Sequence, residues 1–180
     1  MRIISGTLKG RVVRGYDVEG TRPTMDRVKE SVFSMIQNKV YNAVVLDLFA
    51  GSGNLGIEAI SNGSKMCYFN DLNKECVKVI HNNIKNFNIT DKCIVLNMDY
   101  LKCLDYLKDN NLSFDLIFLD PPYKMFCLND VIDKILASGL LKDKGFIVCE
   151  ISHDYLNEFD GLSKIKNRKY GDKIGIILEK

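Results

Sequence analysis

The chain has 180 residues, 46% of them hydrophobic, which is enough for one domain spanning 1–180 with an ample core. Its 25 basic and 23 acidic residues leave a net charge of +2, so overall charge is no argument for a nucleic-acid partner. No signal-like amino-terminal segment and no apolar stretch of roughly twenty residues occurs, so the expectation is a cytoplasmic protein that neither is exported nor spans a membrane.

The first elements are short. Arg2-Ile3-Ile4 and Arg11-Val12-Val13 are β-prone runs around Gly6 and Gly10 and predict a small hairpin. Basic residues crowd this region: Arg2, Lys9, Arg11, Arg14, Arg22, Arg27 and Lys29 face only Asp17, Glu19 and Asp26. Such an arm suits a surface that meets phosphates, although an ordinary solvated face has the same composition. A helix should follow, capped by Thr24, because Val28, Val32, Met35, Ile36 and Val40 recur at helical spacing.

From Ala43 onward apolar strands alternate with amphipathic helices. Strands are expected to Phe49, to Asp71, to Asn97, to Leu119 and over Gly145–Ile151, and helices near Asn54–Ser61, Lys74–Asn86, Tyr100–Lys108 and Asn129–Ser138. That rhythm predicts a parallel sheet covered on both faces. It breaks at the end, where Lys164-Ile165-Lys166 and Ile174-Gly175-Ile176-Ile177-Leu178 flank Gly171-Asp172 too closely for a crossover helix and predict an antiparallel hairpin. The six cysteines, at 67, 76, 93, 103, 127 and 149, form no Cys-x-x-Cys pair and read as small core residues of a reduced protein. His81 and His153 lack partners at metal spacing, so no metal is expected.

Two segments carry chemistry. In the first, the buried strand Val44-Val45-Leu46-Asp47-Leu48-Phe49 runs into Ala50-Gly51-Ser52-Gly53-Asn54-Leu55-Gly56. Its glycines have the spacing that gives a tight turn, a close backbone approach to a ligand and close helix–strand packing. Twenty positions after Gly51, Asp71 ends the next strand, where an acid can grip ribose hydroxyls. An adenosine-containing cofactor follows, but the glycines do not separate a dinucleotide from S-adenosylmethionine. Asp47, Asp71 and Asp99 close three successive strands. A pyrophosphate gains little from such acids, whereas an α-amino group, a ribose diol and a sulfonium are well served. Individually each acid could equally be a solvated strand end or a helix cap.

The second segment is Asp120-Pro121-Pro122-Tyr123, directly after the apolar run Phe114–Leu119. An exocyclic amine of a nucleobase is a poor nucleophile because its lone pair is delocalised into the ring, so an enzyme must hold its N–H groups on acceptors. Asp120 supplies a carboxylate, the Pro-Pro step fixes the carbonyl of Pro121, and Tyr123 offers a ring for a flipped base. A turn that merely ends a strand would use the same prolines.

These motifs resemble a known family. Thr21-Arg22-Pro23-Thr24-Met25-Asp26-Arg27-Val28-Lys29-Glu30-Ser31-Val32-Phe33, Asp47-Leu48-Phe49-Ala50-Gly51-Ser52-Gly53 and Leu119-Asp120-Pro121-Pro122-Tyr123 look like the bacterial 16S rRNA guanine-N2 methyltransferase family of the RsmD type, over nearly the whole chain. The opening Arg2–Gly6, the Lys9-Gly10-Arg11 step and Tyr170-Gly171-Asp172 are also similar to it. Ser5 stands where a glycine is usual, and Asn54 where a small apolar residue is usual; neither touches the expected chemistry, though Asn54 could alter packing under the cofactor.

The resemblance implies the α/β, Rossmann-like class I methyltransferase fold, with a seven-stranded, mostly parallel sheet and an antiparallel carboxyl-terminal hairpin. Residues 1–40 would be a basic hairpin and helix, and 41–180 the catalytic core. It implies S-adenosylmethionine as cofactor and 16S rRNA as partner; the expected setting is a 30S subunit or assembly intermediate and the expected state a monomer, although the sequence itself fixes neither. The catalytic candidates are Asp120, Pro121, Pro122 and Tyr123. Asp47, Phe49, Ala50, Gly51, Gly53, Asp71, Leu72 and Asp99 would bind the cofactor, with Arg22 and Thr24 at its methionine end or at the RNA entrance. Arg2, Lys9, Arg11 and Arg27 would meet RNA phosphates. An adenine-N6 DNA methyltransferase would use the same tetrapeptide, but 180 residues leave little room for a target-recognition region. A nicotinamide-dependent oxidoreductase leaves Asp120–Tyr123 idle, and a non-catalytic RNA-binding or assembly module would need neither cofactor nor Asp120.

Overall fold

The computed structural model describes residues 1–15, 23–121, 128–151, 157–170 and 173–180, with the backbone alone at 23–28, 170 and 173. Helix α1 (Pro23–Val40) precedes four strand–helix units: β1 (Val44–Asp47) and α2 (Asn54–Ser61), β2 (Met66–Asn70) and α3 (Lys74–Phe87), β3 (Cys93–Leu96) and α4 (Tyr100–Asp109), β4 (Phe114–Leu119) and α5 (Leu128–Ala137). β5 (Leu141–Ile151), β6 (Ser163–Tyr170) and β7 (Lys173–Glu179) close the chain. The strands form one sheet in the order β3-β2-β1-β4-β5-β7-β6. β1 to β5 are mutually parallel; β6 and β7 form the antiparallel hairpin that the runs flanking Gly171-Asp172 predict, with β7 inserted antiparallel between β5 and β6.

Alternation along the strands divides the core in two. Val45, Cys67, Phe69, Leu116, Phe118 and Val148 point to the face covered by α1, α2 and α3. Leu46, Ile117, Leu119, Ile147, Cys149 and Ile176 point to the face covered by α4 and α5. Helix ends follow their residues: Asn73 caps α3 by accepting from Glu75 N at 2.9 Å, and Asn88 ends it in the left-handed region at φ 56°. The central strands are buried on both faces, which is why they read as unbroken apolar runs.

Three expectations need correction. α1 begins at Pro23, a residue whose fixed φ and missing N–H suit a first helical position, so Thr24 lies in the first turn and is not its cap. β5 begins at Leu141, four residues ahead of Gly145, through a bulge opposite β4 with Lys144 at φ 60°. The amino-terminal hairpin is reduced to a single antiparallel bridge, Arg2 with Val12, around a 3-10 turn at Gly6–Leu8. Just past the bridge, the N–H groups of Ile4 and Ser5 both donate to the Glu58 carboxylate on α2, at 2.9 to 3.1 Å, which ties this segment to the helix.

Candidate active site

β1 is buried from Val45 to its end at Asp47, after which the chain must turn through Leu48–Gly53 to start α2. Gly51 and Gly53 take φ of 54° and 79°, where side chains are strained. A Cβ on Gly51 would meet no atom within 4 Å, so this glycine leaves the loop's backbone open to the adjoining space. A Cβ on Gly56 would fall 2.2 Å from Phe69 Cε1 and 2.6 Å from Cys67 Sγ, so the third glycine sets how closely α2 lies on β2. Gly51 and Gly56 thus serve the turn beside the open space and the close helix–strand packing, whereas Gly53, expected to approach a ligand, packs against Ile57, Ile80 and Phe69.

Acids hold this loop in place. Gly56 N donates to Asp47 Oδ2 at 3.0 Å, and Gly51 N donates to Asp71 Oδ2 at 2.8 Å, while Asn73 N donates to Asp71 Oδ1. Asp99 caps α4, accepting from Leu101 N at 3.0 Å. Burial pushes the Asp47 carboxyl up to about 7 from the ordinary 3.8; the Gly56 N–H lowers it, and the neighbouring Asp120 and Asp71 raise it further.

The loop, the ends of β2 to β5 and one glycine of β7 enclose a cavity of about 520 Å³, within the range of small-molecule sites. Asp47, Phe49, Ala50, Gly51, Asp71, Leu72 and Asp99 line it, and so do Asp120 and Pro121. Gly53 is not among the lining residues, and a Cβ there would meet Ile57, Ile80 and Phe69. Pro122, Tyr123 and Arg22 lie outside the described residues, as do the side chains of Thr24 and Arg27. Among the described residues no group of three His, Cys, Asp or Glu could hold a metal ion.

The donor set fits an adenosine-containing cofactor with a cationic end. Asp71 retains acceptor lone pairs beyond its two backbone bonds for a ribose diol. Leu72 is 69% exposed beside it, and the ring pair Phe49–Tyr100, with centroids 5.7 Å apart, forms an apolar wall suited to a purine. Asp47 supplies negative charge near the glycine turn.

Several lining residues escaped sequence reasoning. Asn70 latches the loop to the next strand end: its Nδ2 donates to Leu48 O and Met98 O, and its Oδ1 accepts from Met98 N, all at 3.2 Å. Lys29 lines the cavity from α1 although it is only 2% exposed; it pairs with Glu58 at 2.9 Å and donates to Asn54 Oδ1 and Arg2 O. Glu150 and Gly175 come from β5 and β7. No spacing along the chain signals these contacts, because each joins segments more than twenty residues apart.

Of the basic arm, Arg2 and Lys9 are exposed, and Arg2 Nη1 donates to Gly10 O at 3.2 Å. Arg11 is exposed too, but its guanidinium lies 4.4 Å over the Phe87 ring and donates to Asn86 O. A second basic strip was missed: Lys164, Lys166, Arg168 and Lys169 are exposed along β6, the sheet's outer strand. Arg168 Nη1 reaches Ser31 Oγ on α1 at 3.2 Å.

A family model described as Conserved hypothetical protein 95 matches residues 1–179. A Bacillus subtilis protein, provisionally named rRNA methyltransferase YlbH, is 41% identical over 154 residues, covering 86% of this chain and 83% of its own. Ribosomal RNA small subunit methyltransferase D of Haemophilus influenzae is 34% identical over 157 residues, covering 86% and 80%. The solved structure of Escherichia coli yhhF, provisionally named a methyltransferase, matches with a TM-score of 0.87 and 26% identity over 100% of this chain and 97% of that one.

Proposed function

The chain belongs to the Conserved hypothetical protein 95 family, that of the RsmD-type methyltransferases, and on that premise we propose that it transfers a methyl group from S-adenosylmethionine to the exocyclic N2 amine of a guanine in small-subunit ribosomal RNA. The observation that carries this reading is the meeting of two motifs on one cavity: the glycine loop after β1 and Asp120-Pro121 after β4 line the same 520 Å³ space. The printed names of the relatives support ribosomal RNA as the substrate class.

The cofactor, when bound, supplies a sulfonium-borne methyl group that passes to the amine nitrogen and leaves a neutral thioether. The chain's own residues bring the amine to it. Asp120 accepts an N–H of the amine, which weakens the lone pair's delocalisation into the ring, and the Pro121 carbonyl accepts the second. The proton displaced from nitrogen goes to Asp120 or to water. Tyr123 stacks the extruded base, and Arg22 and Thr24 stand at the methionine end or the RNA entrance. Most of the acceleration is positional. Asp71, Leu72 and Asp99 hold the adenosine, and Asp47, Phe49, Ala50, Gly51 and Gly53 shape the methionine side. Arg2, Lys9, Arg11 and Arg27 of the arm, together with the β6 cations, meet phosphates of an RNA that one monomer engages within a 30S subunit or assembly intermediate.

Methyl transfer from labelled S-adenosylmethionine to 30S particles, naked 16S rRNA and duplex DNA, run in parallel with nucleoside analysis, tests the proposal. The expected product is N2-methylguanosine in ribosomal RNA. N6-methyladenine in DNA, or cofactor binding without transfer to any of the three, would overturn it.

A further inference from the structure

A second carboxylate stands beside Asp120. Leu119, the last residue of β4, registers with Cys149 on β5, so Asp120, which leaves β4, and Glu150, which continues β5, each follow a member of one registered pair on strands roughly 4.8 Å apart. Alternation along β5 puts Glu150 on the face of Val148, the face that α1 covers. Asp120 and Glu150 both line the cavity. Beyond Glu150 the row continues to Gly175 on β7, which also lines the cavity and contributes no side chain there. The wall next to the methyl-accepting position therefore offers a further acceptor at the place that the rim of a bound base would reach.

An ionised carboxylate only accepts hydrogen bonds, and that property selects among bases. The Watson–Crick edge of guanine presents N1–H next to the N2 amine, two donors side by side. Adenine and cytosine present a ring-nitrogen lone pair beside their amines. We propose that Glu150 accepts the N1–H of the target guanine while Asp120 holds its N2 amine, so that Glu150 determines which base the site takes. This deepens the guanine-N2 reading and rests on it. A base with a lone pair at N1 would set that pair against the carboxylate, and one good base-edge contact is worth about ten- to hundredfold in discrimination.

The informative substrate is 2,6-diaminopurine, which keeps the N2 amine but has an acceptor at N1. It is ligated into the methylated position of the accepted RNA and compared with guanine by kcat/KM. The wild-type protein should prefer guanine by about ten- to hundredfold. In Glu150→Gln, whose amide can donate to an N1 lone pair, that preference should collapse or invert while the affinity for S-adenosylmethionine is unchanged. A merely structural Glu150 would lower both substrates together, and that result would overturn the inference. So would a wild-type protein indifferent to the two bases, an arm that stands even if the variant does not fold. Failure of the parent reading looks different: the wild-type protein would then methylate no guanine, and the inference would fall with it.

Discussion

Lys29 and Glu58 form an ion pair with side chains 2% and 0% exposed, a costly arrangement that persists only when every polar atom is met. Here it is met by unusual means. Glu58 accepts from Ile4 N, Ser5 N, Ser5 Oγ and Lys29, and Lys29 donates to Arg2 O and Asn54 Oδ1 as well. Ser5 and Asn54 are the two positions that depart from the family pattern, and both supply oxygens to this one pair. The effect expected of Asn54, a change of packing, is thus a hydrogen bond to a buried cation. Lys29→Met would leave Glu58 buried without its cation and is predicted to cost roughly 3 to 5 kcal/mol in denaturant unfolding. Lys29→Met with Glu58→Leu should recover only part of that loss, because the unpaired charge is gone but Ile4 N and Ser5 N lose their acceptor.

Asp47 gives a pH signature at the same scale. Its carboxyl titrates near 7 in the folded chain and near 3.8 when exposed, so between those values the folded state holds a proton that the unfolded state has released. Stability therefore falls as pH rises from about 4 to about 7, by at most on the order of 4 kcal/mol. Asp47→Asn should unfold at the same denaturant concentration across that window, while the wild-type protein loses ground. A cation in the cavity favours the ionised form, so cofactor affinity measured by calorimetry should rise through pH 7 in the wild type and stay flat in the variant. Asp47, Asp71 and Asp120 were legible in the sequence because each follows an apolar strand. Lys29, Asn70 and Glu150 were not, because a charge inside an amphipathic helix or a polar residue at a strand end has the same local pattern whether it faces solvent or a cavity.

At the scale of elements, β6 is the clearest case of structure adding to sequence. Lys166 and Lys169 are exposed on the outermost strand, where lysines also discourage pairing with another sheet edge. Its position separates the two roles. Arg168 registers with Gly175, which lines the cavity, so β6 runs along the sheet edge next to a strand that reaches the cavity. Replacing Lys166 and Lys169 by Gln is predicted to weaken RNA binding and to flatten the dependence of log affinity on log salt by about 1.4 to 1.8, the value for two lost phosphate contacts. An edge-protecting role alone would leave the salt slope unchanged and promote self-association. Helix and strand periods were readable because burial enforces them. The short amino-terminal segment was not readable as it folds because its N–H groups at Ile4 and Ser5 are held by a carboxylate more than fifty residues away, a contact that local sequence does not carry.

At the scale of the whole molecule, the sheet order explains why two distant motifs form one site. β1 pairs with β2 on one side and β4 on the other, so the strand order reverses beside β1, where ligands of open α/β sheets bind. The glycine loop leaves the carboxyl end of β1 and Asp120 leaves that of β4, one strand away. Seventy residues of sequence separate these motifs, yet one sheet register joins them. The cavity itself is acidic: among the described residues it is lined by Asp47, Asp71, Asp99, Asp120 and Glu150 against the single basic side chain of Lys29, while the chain as a whole is close to neutral.

The central claim is that Asp120 holds the amine that receives the methyl group. Single-turnover transfer to ribosomal RNA by Asp120→Ala, with cofactor affinity measured on the same preparation, tests it most directly. The prediction is transfer reduced at least about a hundredfold, as for loss of a positioned group at the reacting centre, with cofactor affinity largely kept. Full transfer by the variant would contradict the account.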